Sequence, residues 1–142
     1  MNLTNTGKLI YDPFRKDLKK THKSRYLIVQ PKYDDLDKLY QWYIEKQFGQ
    51  CMKLQSPVWK CHITVVDPRE KLKYPEKWNA HKDEFIKFEY SPDVERTWKF
   101  WSLPVKSKQL ENIREELGLN PKFNFHITIG REHEWQNPSN DF

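Results

Sequence analysis

Two short stretches hold the residues best suited to chemistry. They are Lys60-Cys61-His62-Ile63-Thr64-Val65-Val66 and Phe123-Asn124-Phe125-His126-Ile127-Thr128-Ile129-Gly130. Each places a histidine two residues before a threonine among β-branched neighbours, which is the composition of a strand. Side chains alternate between the faces of a strand. Cys61, Ile63 and Val65 therefore share one face, and His62 and Thr64 the other. In the second stretch Phe123, Phe125, Ile127 and Ile129 oppose Asn124, His126 and Thr128. Each strand thus buries an aliphatic face and presents one imidazole beside one hydroxyl.

That set suits phosphodiester cleavage. The reaction needs a base for the attacking oxygen and an acid for the leaving one. An unperturbed imidazole, with a pKa of about 6.5, fills either role near neutrality. A hydroxyl on the same face can donate to a non-bridging oxygen and stabilise charge in the transition state. A single strand histidine is ordinarily structural; two copies in matching phase point to function. Threonines stand where carboxylate ligands would be needed, so neither a metal nor another cofactor is expected. His22, His81 and His133 lack such a partner and are expected at the surface.

The surrounding elements repeat. Arg25 to Val29 predicts a strand, and Asp34 or Asp35 caps a helix running to about Phe48, stopped by Gly49. Leu36, Leu39, Tyr40, Tyr43, Ile44 and Phe48 recur at helical spacing as its buried face. The first His-x-Thr strand comes next. Residues 67–95 are punctuated by Pro68, Pro75 and Pro92, with a short helix ending over Lys82 to Phe85 and a strand over Phe85 to Tyr90. Thr97 to Val105 predicts another strand, and Ser107 caps a helix carrying Leu110, Ile113 and Leu117. Gly118 and Pro121 close that helix before the second His-x-Thr strand. Strand, helix, His-x-Thr strand thus occurs twice, over 25–66 and 97–130, each time followed by Arg-Glu.

With 142 residues, the chain predicts one domain, and the repeated order suggests two related lobes, 25–96 and 97–131, within a unit spanning 25–131. Residues 1–24 are expected to form an irregular basic arm and 132–142 a tail. The net charge of +5 is concentrated in the arm, where Lys8, Arg15, Lys16, Lys19, Lys20 and Lys23 outnumber Asp12 and Asp17. Such an arm attracts phosphates in a salt-dependent way. No apolar run is long enough to span a membrane, and the N-terminus lacks the apolar core of a secretory signal. Cys51 and Cys61 make no disulfide framework, so a cytoplasmic setting is expected (a host cytoplasm if the protein is viral).

His62-Ile63-Thr64-Val65 and His126-Ile127-Thr128-Ile129, 64 residues apart, resemble the paired signature of the 2H phosphoesterase superfamily. That group includes LigT-like RNA phosphodiesterases and ligases, cyclic phosphodiesterases, 2′-5′ oligoadenylate phosphodiesterases and phage anti-CBASS nucleases. The resemblance covers roughly 25–131. It implies a bilobal α+β fold with a central groove and metal-independent chemistry, with His62, Thr64, His126 and Thr128 as catalytic residues. Pro57-Val58-Trp59 and Glu115-Glu116-Leu117-Gly118-Leu119 are similar to a tailed-phage branch.

The expected partner is a nucleotide or oligonucleotide. Arg131 and Arg69 lie just beyond the two motifs, Trp59 precedes the first, and Tyr11 lies on the arm. Arginine suits phosphate and an aromatic ring suits a base, which makes these four the candidate substrate-binding residues. The leading expectation is cleavage of cyclic or short oligonucleotides, including host cyclic-nucleotide immune signals. The alternatives are an RNA-end enzyme acting on 2′,3′-cyclic phosphates or 2′-5′ linkages, and a nucleotide-sequestering protein without turnover.

Overall fold

Among the described residues, apolar side chains at alternate positions of the longer strands build the core side of a sheet. The computed structural model describes residues 2–13, 25–32, 36–47, 54–55 and 61–132. Its strands are β1 (Leu3–Tyr11), β2 (Leu27–Pro31), β3 (Leu54–Gln55), β4 (Ile63–Val66), β5 (Phe85–Tyr90), β6 (Glu95–Thr97), β7 (Phe100–Lys106) and β8 (His126–Glu132). Helix α1 (Leu36–Gln47) lies between β2 and β3, and α2 (Lys108–Glu116) between β7 and β8.

Among the described residues, the eight strands join one antiparallel sheet in the order β3-β8-β4-β2-β1-β5-β7-β6, and β7 also pairs with β8. The sheet therefore closes on itself in a barrel-like arrangement. Leu9, Leu27, Val29, Ile63, Val65, Ile86, Phe88, Leu103, Ile127 and Ile129 share the core with Ile44 of α1, Leu110 and Ile113 of α2, and Leu117 just beyond it. Fully burying one such side chain contributes about 1.5–3 kcal/mol. The helices thus pack on the aliphatic face.

Helix α2 follows its sequence signals. The Ser107 hydroxyl accepts the Leu110 N–H at 3.3 Å and donates to the Lys87 carbonyl at 2.9 Å. Gly118 adopts φ +82, where a side chain is strained, just beyond the helix. In α1 only part of the expected stripe is covered. Ile44 is buried and Leu36 and Tyr40 pack against the core, whereas Leu39 and Tyr43 are 59% and 47% exposed. The helix contacts β8 along a narrower face than its composition implies. Phe48 lies outside the described residues.

Three expectations are corrected. Part of the expected irregular arm, residues 3–11, is strand β1, which sits between β2 and β5 and pairs with both. Its alternation is interrupted by Asn5 and Gly7, and pairing on both edges compensates. The expected strand over Thr97 to Val105 is instead the hairpin β6–β7, turned at Trp98-Lys99. A 3₁₀ turn over Pro75–Lys77 and further turns through Asp83 replace the short helix expected just before β5. Among the described residues, no helix is long and apolar enough to cross a membrane.

Candidate active site

The two His-x-Thr stretches lie side by side. β4 and β8 run antiparallel with Ile63 opposite Ile127, and the Thr128 N–H donates to the His62 carbonyl at 3.1 Å. This register sets His62 across from Thr128 and Thr64 across from His126. Ile63 and Ile127 are fully buried on the core face. The four motif side chains consequently share the opposite face, as two crossed pairs. This register makes His62 and His126 diagonal neighbours, a relation that in antiparallel ladders corresponds to about 7–8 Å.

His62 is 7% exposed, while Thr64, His126 and Thr128 are half-buried. The His126 Nδ1 lies 2.9 Å from the Asn124 carbonyl. A carbonyl only accepts, so Nδ1 carries the proton and the neutral ring has its lone pair on Nε2. The Thr64 hydroxyl lies 3.4 Å from the Tyr26 hydroxyl. Tyr26 opens the first unit, and nothing in its sequence context points to Thr64; only the pairing of β2 with β4 brings them together.

Flanking strands extend this face. Ile28 of β2 lies opposite Thr64, and on β7 Ser102 lies opposite Thr128 and Pro104 opposite His126. The ladder then slips: Ser102 pairs with Thr128 but Trp101 pairs with Gly130, leaving Ile129 as an extra residue in β8. A bulge of this kind re-aims the side chains beyond it. Glu132 pairs with buried Leu54, and its carboxylate accepts from the Trp101 indole at 3.2 Å. Arg131, opposite Phe100 and exposed, is thereby turned to the face of His126 and Thr128. Without the bulge, alternation would direct it to the core side.

A buried arginine ties the ends of the motif strands together. Arg114 on α2 is 2% exposed and lies 3.9 Å from the centre of the Phe123 ring. Its guanidinium donates to the Val65 carbonyl at 2.7 Å and the Asn120 carbonyl at 2.8 Å. It also grips both Glu70 oxygens, at 2.9 and 2.7 Å. Burial alone would raise the Glu70 pKa; the hydrogen bonds from Arg114 and the Asp67 N–H outweigh it and leave it lowered. The end of β4 is thus anchored to the loop that enters β8. In the sequence Arg114 is one charge among many on an amphipathic helix.

The other expected binding residues are placed differently. Tyr11 packs edge-on to Trp78 at 5.0 Å, and its hydroxyl accepts the His81 N–H at 3.3 Å. Burial raises its pKa. Being paired with Leu27, it shares the core face and does not join the motif. Arg69 is exposed and donates to Asp67 at 2.9 and 3.2 Å. Those hydrogen bonds hold the Asp67 carboxyl below its usual range. Trp59 and the lysines and arginine of residues 14–24 lie outside the described residues. His81 is held between Glu84 at 2.7 Å and Glu116 at 2.6 Å. Among the described residues, no cluster of three or more His, Cys, Asp or Glu side chains is placed to hold a metal ion.

The family model for the Swiss Army Knife 2H phosphoesterase domain matches residues 26–134, which include both motifs. The chain belongs to this family. No curated protein and no solved structure matches it. The 2H phosphoesterase domain points to a hydrolase acting on phosphodiester bonds, with a nucleotide-type substrate.

Proposed function

We propose that this 2H phosphoesterase is a metal-independent phosphodiesterase whose catalytic residues are His62, Thr64, His126 and Thr128. The supporting observation is the crossed arrangement of the two motifs on adjacent antiparallel strands. One neutral imidazole takes the proton of the attacking hydroxyl or water as the new P–O bond forms. The other, as imidazolium, gives its proton to the leaving oxygen as the old bond breaks. Because the His126 Nδ1 faces the Asn124 carbonyl, its Nε2 makes one of these transfers. The threonine hydroxyls donate to the non-bridging oxygens, where a single preorganised donor contributes about 10²–10³ in rate. Arg131 supplies the cation beside them.

The substrate is a cyclic or short oligonucleotide. The pseudo-symmetric use of two similar units suits a two-lobed enzyme in which either histidine can serve as acid or base. Destruction of a host cyclic-nucleotide signal by a phage protein is one setting for this chemistry, and RNA-end processing is another.

The test is a panel of cyclic dinucleotides, cyclic trinucleotides, 2′,3′-cyclic mononucleotides and 2′-5′ oligoadenylate, assayed in excess EDTA. Turnover should survive chelation and fall by about 10²–10⁴ in His62→Ala and in His126→Ala. Loss of turnover on chelation would overturn the metal-independent reading. Tight binding without turnover would identify a sequestering protein instead.

A further inference from the structure

Beyond Arg131 the motif face ends in aromatic rings. Phe100 is the register partner of Arg131 and is 42% exposed. It lies two residues along β7 from Ser102, the partner of Thr128, or about 7 Å along the strand. Trp98 is 69% exposed, and its ring centre lies 6.1 Å from that of Phe100 at an interplanar angle of 46°. The Lys99 Nζ sits 5.1 Å from the Trp98 ring.

The backbone beneath Trp98 is unusual for this residue. Trp98 is the first of two residues linking β6 to β7 and adopts φ +56. Two-residue hairpin loops with positive φ at that position favour glycine, asparagine or aspartate, and a bulky residue there is an outlier. The indole is largely in solvent, so burial does little to offset the strain. Folding stability alone does not account for a tryptophan here.

We propose that Trp98 and Phe100 form a base-stacking platform for the nucleoside adjoining the scissile phosphodiester, with Arg131 holding the phosphate between platform and motif. This inference rests on the phosphodiesterase reading and narrows it to single-stranded oligonucleotides with a base on the Arg131 side. Aromatic faces stack on bases with little regard to sequence, and a guanidinium complements phosphate. Phe100 shares the face of Ser102 and Thr128 and Trp98 lies beside it, which favours substrate over a protein partner.

The experiment measures binding of a fluorescein-labelled single-stranded RNA pentamer, and of a base-free ribose-phosphate pentamer, in a His126→Ala background that blocks turnover. Trp98→Gly should weaken the RNA by about 5- to 150-fold, as expected for one lost stack, and leave the base-free probe nearly unaffected. The same change should raise the thermal midpoint, because glycine accommodates the positive φ. Trp98→Phe should retain most of the affinity, and Phe100→Ala should lose it selectively as well. The platform is excluded if the RNA does not bind, if both probes weaken equally, or if Trp98→Gly and Phe100→Ala bind RNA normally. RNA bound on this platform by a wild-type protein that cleaves no phosphodiester would instead overturn the catalytic reading and leave the platform standing. Cleavage with normal RNA binding in both variants would overturn the platform alone.

Discussion

The Gln41 side chain on α1 donates from Nε2 to the carbonyl of Ile129 at 2.9 Å. Ile129 is the extra residue of the β8 bulge, where the regular ladder is interrupted. The helix therefore satisfies a backbone acceptor at the point where Arg131 is turned toward the motif face. Gln41→Leu should destabilise the fold by about 1–3 kcal/mol, the cost of leaving such a carbonyl unmet. It should also weaken substrate binding, with KM affected more than kcat. A denaturant titration and steady-state kinetics check both; unchanged KM would detach the bulge from substrate binding.

The threonines allow a narrower test than the histidines. Thr64→Val and Thr128→Val keep the branched shape and remove the donor. Each should lower kcat by about 10²–10³ while the protein stays folded. Tyr26→Phe removes only the hydroxyl beside Thr64, 3.4 Å away, and should cost less than about tenfold. A Tyr26→Phe defect as large as that of Thr64→Val would make the tyrosine itself part of the chemistry.

Arg114 and Glu70 form the ion pair behind the motif strands, with side chains 3% and 23% exposed. Glu70→Gln strands the buried Arg114 charge and should cost about 3–5 kcal/mol, whereas Arg114→Met should cost less, because Glu70 keeps contact with water. The folded pKa of Glu70 is lowered below its unfolded value of about 4.3. Its contribution is thus complete above that value and lost as pH falls through the folded one. Wild-type and Glu70→Gln stabilities should converge in acid, read as urea midpoints across pH. Parallel curves would mean that the pair does not titrate with folding.

His81 works in the opposite direction. Burial would lower its pKa, but the carboxylates of Glu116 and Glu84 outweigh it and raise the value. The protonated ring is favoured in the fold, so its contribution is complete below about pH 6.5 and lost as pH rises through the higher folded value. His81→Gln should lower the thermal midpoint at pH 6 and change it little at pH 9. An equal loss at both would show that ring packing, not charge, matters.

The shared face of the two motifs is more legible in the sequence than the contacts that support it. His62, Thr64, His126 and Thr128 announced a shared face because alternation is local and survives in any antiparallel partner. The Ser107 cap and Gly118 stop were equally local. The bulge at Ile129, the Tyr26–Thr64 contact and the Arg114 clasp depend on register and long-range packing, which leave no local pattern. Leu39 and Tyr43 misled for a related reason: apolar spacing marks a helical stripe but not how much of it a neighbouring sheet will cover. Tyr11, placed on a substrate-binding arm by its basic neighbours, instead sits on the core side of β1.

Strand β1 supplies the last test. Gly7 lies where β1 pairs with both β2 and β5, and a Cβ built there would fall 2.5 Å from the Val29 Cγ1 and 2.8 Å from the Gln30 carbonyl oxygen. The carbonyl belongs to a paired strand and cannot easily move aside. Gly7→Ala should therefore destabilise by about 1–3 kcal/mol, as overpacking does. Deleting residues 1–11 should abolish cooperative unfolding, since Leu9 is 1% exposed in the core and both neighbouring strands would lose their partner. A truncated protein with an unchanged melting transition would return these residues to the role of a dispensable arm.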